Sequence, residues 1–106
     1  MSKRLAMLEK MVADGAKDPF AWYALALEYA GAGRLEDALR TFQSLRTLDE
    51  AYVPMYLMCG SMLSKAGRLE ESKEWLRAGV VEARAKGDAH ALGELEQALA
   101  EHKPDG

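Results

Sequence analysis

The 106-residue sequence contains one cysteine, three prolines and two histidines, and it lacks any long apolar run. Each scarcity closes a route. A lone Cys59 cannot form an internal disulfide, so a reducing compartment fits. The opening stretch MSKRLAMLEKMV carries Lys3, Arg4 and then Glu9, which leaves no room for a secretory apolar segment. No run approaches the roughly 20 apolar residues that span a bilayer, so no membrane insertion is expected and the expected location is cytoplasmic. Charge of one sign is also scarce. Fourteen Lys plus Arg face seventeen Asp plus Glu, a net −3, with the signs interspersed. Without a basic stripe to track a phosphate backbone, nucleic acid is not an expected partner. His90 and His102 share no helical face and have no companion ligands, so no metal is expected.

What is present is a globular composition: 49% apolar and 29% charged residues set disorder aside, and the length suits one domain. Within it the five letters AGRLE occur at Ala32 to Glu36 and again at Ala66 to Glu70, an interval of 34 residues. Laying 19–52 over 53–86 gives few identities outside AGRLE, yet residue size agrees. Trp22 falls on Tyr56, Leu25 on Cys59, Ala26 on Gly60, Tyr29 on Leu63, Ala38 on Ser72 and Phe42 on Leu76. A 34-residue period is that of arrays whose unit is helix, turn, helix.

AGRLE reads as the turn. The first helix of each copy runs from near Pro19 or Pro54 to Ala32 or Ala66, proline being tolerated in a first helical turn only. Asp18 is an expected N-cap. Gly33 and Gly67 then stand where the chain swings to positive φ, which costs a residue with a Cβ about 1–2 kcal/mol. Leu35 and Leu69 restart the apolar pattern, and Glu36 and Glu70 sit in a first turn where the helix dipole favours a carboxylate. Trp22, Leu25 and Tyr29, at i, i+3 and i+7, form the expected core face of the first helix; Ala38, Phe42 and Leu45 do so in the second.

On these residues, 19–86 resembles two tandem tetratricopeptide repeats. The family's run of aromatic, Leu, small, aromatic, small, aromatic is met by Trp22, Leu25, Ala26, Tyr29, Ala38 and Phe42. The second copy is looser: Tyr56, Cys59, Gly60, Leu63, Ser72, Leu76 and Gly79. Leu45 departs from the family's small residue, and Glu50 from its frequent Pro. The resemblance implies an all-α fold, a right-handed α–α superhelix of about six antiparallel helices with no strands.

The flanks extend this pattern to a single repeat domain over 1–106. Residues 1–18 read as the second helix of a half-repeat, with Leu5, Leu8 and Met11 or Val12 on its apolar face. Repeats occupy 19–52 and 53–86. Gly87 and Asp88 stop one helix and cap the next, and 88–102 reads as a solvating C-terminal helix buried through Leu92, Leu95 and Leu99, before a tail at 103–106.

Catalytic chemistry has little to stand on. Cys59 occupies a core slot, where a thiol is usually a small inert apolar residue. GAGR at 31–34 follows a helix rather than a strand, which removes the dinucleotide-binding reading. No catalytic residue, cofactor-binding residue or cofactor is expected. Met55, Met58 and Met62 share one helix at i, i+3 and i+7, with core filling favoured over an adaptable binding surface.

In proteins of the resembled family the first helices line a concave groove that holds a partner. By that resemblance the groove here is lined by Phe20, Tyr23, Leu27, Ala30 and Gly31, and by Pro54, Leu57, Ser61, Ser64 and Lys65. With Lys65 alone among the cations, the family's carboxylate-gripping subclass does not carry over. An apolar strip suits an amphipathic helix or extended hydrophobic peptide. The expected partner is therefore a protein or peptide, or a second copy of this chain in a self-assembling module. The competing expectation is that a terminal helix covers the strip.

Overall fold

The protein is described by a computed structural model, which covers residues 2–102. The described residues form six α-helices and no strand: α1 (Lys3–Ala13), α2 (Pro19–Gly31), α3 (Leu35–Leu48), α4 (Pro54–Lys65), α5 (Leu69–Lys86) and α6 (Ala89–Ala100). The chain divides into two compact units, Met1–Glu50 with α1 to α3 and Ala51–Gly106 with α4 to α6. The expected tail at 103–106 lies outside the described residues.

In the first unit, α1 packs on α2 and α2 on α3. Ser2 caps α1 by accepting hydrogen bonds from the Arg4 and Leu5 amides at 3.1 and 3.3 Å. Asp18 caps α2 by accepting from the Phe20 amide at 3.0 Å, with Pro19 in the first turn. Leu5, Leu8, Ala24 and Leu25 form one buried cluster, with Val12 and Tyr29 packed against its edge. The expected core face of α2 is therefore only partly interior. Leu25 is buried, whereas Trp22 and Tyr29 are half-buried and Ala21, Ala24 and Ala26 fill the contact. The physical reason is that both rings carry polar atoms that find partners at the rim. The Trp22 indole donates to the Ala16 carbonyl at 2.8 Å, and the Tyr29 hydroxyl to Glu9.

In the second unit α4 packs on α5, and α6 packs on both. Tyr56 is almost wholly buried, and its ring meets the Trp75 ring at 5.9 Å and 48°. Leu63 and Leu76, which replace the aromatics of the first copy, are interior as well. Close approach rests on two glycines. A Cβ on Gly60 would lie 2.6 Å from a Leu76 methyl, and one on Gly79 would lie 2.5 Å from the Tyr56 Cβ. The methionines of α4 part ways: Met55 is interior, Met62 half-buried and Met58 exposed.

Both AGRLE segments make the same turn. Gly33 and Gly67 have φ of 76° and 80°. The Arg34 amide donates to the Tyr29 carbonyl at 2.9 Å, and the Arg68 amide to the Leu63 carbonyl at 2.9 Å. These bonds close the helix end and satisfy carbonyls the helix leaves over. The arginine side chain then clamps the next helix start, Arg34 to Asp37 at 2.9 Å and Arg68 to Glu71 at 2.7 Å.

Candidate functional site: an apolar row, a rim cleft and a helix-bound cavity

Four of the eight expected contact residues lie on α2 and four on α4. On α2, Phe20 is 58% exposed, and its ring stands 6.4 Å from that of Tyr23. Tyr23, Leu27 and Ala30 are half-buried and Gly31 is exposed. At 3.6 residues per turn, Phe20, Tyr23 and Leu27 share a face opposite to Trp22, Leu25 and Tyr29. Glu28 is the one charged residue in α2, so this face is close to uncharged.

On α4, Leu57, Ser61 and Ser64 are half-buried and Lys65 is exposed. Ser61, Ser64 and Lys65 line a cavity of about 170 Å³ together with Ala98, Glu101 and His102 from the end of α6, over a floor of Gly60 and Leu76. The C-terminal helix thus stands over the lower half of the α4 row. Beside this cavity, Ser72 of α5 is fully buried and its hydroxyl donates to the Gly60 carbonyl at 2.6 Å. The His102 Nε2 lies 3.1 Å from the same oxygen. A hydroxyl has one proton, already committed to the carbonyl, so the imidazole is the donor in this contact. A nucleophilic serine needs the reverse arrangement and access to substrate. This Ser–His pair is a structural contact.

The first unit also carries a cleft of about 290 Å³ that sequence reasoning missed, lined by Glu9, Val12, Ala13, Trp22, Leu25, Tyr29, Asp37, Arg40, Thr41 and Ser44. Its rim is an ionic chain. The Tyr29 hydroxyl donates to Glu9 at 2.5 Å, and Arg34 stacks over the Tyr29 ring at 4.6 Å. Asp37 accepts from both Arg34 and Arg40. The hydrogen bond to the Glu9 carboxylate, with burial, pushes the Tyr29 hydroxyl above its ordinary value. The Arg34 hydrogen bond holds the Asp37 carboxyl below the usual carboxylate range, against some desolvation. No sequence signal announces this cleft, because Glu9 and Tyr29 stand twenty residues apart.

Among the described residues no three His, Cys, Asp or Glu side chains gather where they could hold a metal ion. No helix of those residues is long and apolar enough to cross a membrane.

Two helical hairpins with matching turns, each flanked by one more helix, define a helical-repeat protein. The comparisons agree. The crystal structure of a tetratricopeptide repeat domain protein from Salinibacter ruber is 31% identical, with a TM-score of 0.72, over 79% of this chain and 93% of that one. A solution structure of a tetratricopeptide repeat domain protein from the same organism gives 29% identity and a TM-score of 0.76, over 84% and 95% of the two chains. A Bordetella parapertussis protein shares the fold at a TM-score of 0.80 and 23% identity, over 95% of this chain and 88% of that one. No family model and no curated protein matches the chain. The chain belongs to the tetratricopeptide repeat family.

Proposed function

We propose that the protein is a non-catalytic scaffold that holds a peptide or helix of a partner protein on its first-helix faces. The contacts are Phe20, Tyr23, Leu27 and Ala30 on α2, and Leu57, Ser61, Ser64 and Lys65 on α4. The organisation belongs to the same reading: one repeat domain with a half-repeat helix, repeats at 19–52 and 53–86, and a capping helix. So does a cytoplasmic location, for which the support is the single cysteine, an interior thiol.

One observation carries the reading. Phe20 is a large aromatic 58% exposed on a helix with a single charge, and it stands beside Tyr23 on the face that the Leu25 cluster does not use. Exposed apolar groups of this kind, gathered on one face, mark interaction surfaces, and aromatic anchors carry a large share of interface energy. Covering the exposed Phe20 and what remains open of the half-buried Tyr23 and Leu27 yields roughly 2–4 kcal/mol gross. Ordering and association costs subtract from that, so these three side chains alone support an affinity weaker than micromolar, with micromolar as the ceiling for two repeats.

The test is Tyr23→Glu, followed by far-ultraviolet circular dichroism, melting, light scattering over a concentration series and capture of partners from the native cell. The variant is expected to keep its helical spectrum and melting while losing the captured partner. If the partner is a second copy of this chain, the loss is read instead as a lower mass at high concentration. An unfolded variant makes Tyr23 a core residue, and unchanged binding moves the partner to another surface; either result ends this assignment.

A further inference from the structure

The way α6 is held defines what its docking surface accepts. On α5 two small residues, Ser72 and Gly79, are both interior and seven positions apart, two helical turns on one face. Leu95 on α6 and His102 in the turn that follows it are also seven apart. They meet in antiparallel register. A Cβ on Gly79 would stand 2.9 Å from a Leu95 methyl, and His102 Nε2 lies 3.1 Å from the Ser72 hydroxyl. Gly79 is thus an apolar notch filled by a leucine, and Ser72 a polar notch filled by a hydrogen-bond donor.

Between these points the fit is loose. Leu95 is the one buried residue of α6; Leu92, Ala98 and Leu99 are half-buried. Where the end of α6 and the turn after it meet α4, Ala98, Glu101 and His102 leave a cavity of about 170 Å³ against Ser61, Ser64 and Lys65. A helix with so few interior side chains belongs to the low-stability end of a fold, where local opening is cheap.

We propose that α6 is a displaceable occupant, and that the face formed by α4 and α5 is a docking surface for an amphipathic helix of one pattern. That pattern is a large apolar residue for the Gly79 notch and a hydrogen-bond donor seven positions later for Ser72, running antiparallel to α5. A partner helix of this kind exchanges with α6 and gains access to Ser61, Ser64 and Lys65. The proposal rests on the reading of the α4 row as a contact surface and adds what regulates it.

The probe is a synthetic peptide with the sequence of residues 88–102, added to the full-length isotope-labelled protein and to its His102→Ala variant. Amide hydrogen exchange of α6 is expected to rise at least tenfold in the variant while α2 and α3 keep their wild-type rates. The peptide is expected to shift the amide resonances of Ser61, Ser64 and Lys65, at a concentration at least tenfold lower in the variant. A peptide carrying Leu95→Ala is expected to bind at least tenfold more weakly. Exchange in α6 that stays unchanged, or that rises equally in α2 and α3, overturns the displaceable helix. A peptide that leaves Ser61, Ser64 and Lys65 unshifted in the variant overturns the docking surface. Both readouts are independent of Tyr23, so they fail separately from the α2 assignment.

Discussion

The two helical hairpins, α2–α3 and α4–α5, share their turn and bury the matched pairs Leu25/Cys59, Ala26/Gly60, Ala38/Ser72 and Phe42/Leu76, yet differ at other core positions. Gly33 and Gly67 have φ within 4° of each other, and each following arginine clamps a carboxylate three residues on. The cores then diverge at matched positions. Trp22 is half-buried and anchored at the rim by its indole nitrogen, whereas its counterpart Tyr56 is interior. Thr41 donates to the Asp37 carbonyl of its own helix, whereas its counterpart Trp75 fills the contact with Tyr56. Leu45 is a buried large residue, whereas Gly79 admits Tyr56 and Leu95. A repeat thus constrains backbone punctuation tightly and total core volume loosely: what one position gives up, a neighbour supplies.

The largest effect separates the two aromatic positions. Tyr56→Ala removes an interior ring and the face against which Trp75 packs, and is expected to cost about 3–5 kcal/mol in urea unfolding. Trp22→Ala, on sequence alone the equivalent truncation, is expected to cost about 1.5–3 kcal/mol, because its ring is only partly buried and the indole hydrogen bond is a modest term. Equal costs would break the comparison and place Trp22 in the core after all.

The second effect tests the shared turn. Neither glycine has a neighbour within 4 Å of a built Cβ, so space is no obstacle and backbone strain alone opposes substitution. Gly33→Val and Gly67→Val are each expected to cost about 1–2 kcal/mol, as valine resists positive φ. Matching losses sharpen the equivalence of the turns, and a neutral result at either site removes it.

These contrasts show which parts of the molecule were legible in the residues. The turns, the Asp18 cap ahead of Pro19 and the Gly87–Asp88 junction follow from local chemistry, since each needs only its own few neighbours. The register of small and large positions set the helix count and the general core. What escaped reading depends on helices meeting at a distance. Trp75 answers to Thr41 in the repeat, so nothing in the period marked it as a core aromatic. The Tyr29–Glu9 bond spans twenty residues and the Ser72–His102 contact thirty. The half-exposed state of Trp22 and Tyr29 follows from partners that no helical period encodes. The eight contact residues came from the family resemblance; exposure of Phe20 and the cavity over Ser61, Ser64 and Lys65 supply their physical setting.

The smallest expected effect distinguishes the arginine clamps of the two turns by acid. The Arg34 hydrogen bond lowers the Asp37 carboxyl, helped by Arg40, and the Arg68 hydrogen bond lowers that of Glu71. A carboxylate whose folded-state value is depressed contributes stability that is fully present above its unfolded value, about 4 for these acids, and is lost as pH falls through the folded value. Each clamp therefore contributes a constant amount between pH 5 and 7, above the ordinary carboxylate values of about 4, and the pH dependence is confined to the acid limb. Both pairs are solvent-exposed, so each contributes little. Asp37 accepts from two arginines and Glu71 from one, whose guanidinium reaches it through two nitrogens at 2.7 and 2.9 Å. In urea midpoints measured from pH 7 to pH 2, Asp37→Asn is expected to flatten the acid limb more than Glu71→Gln does. If both variants keep the full wild-type acid slope, the clamps contribute nothing to it, and the two turns are held by backbone geometry alone.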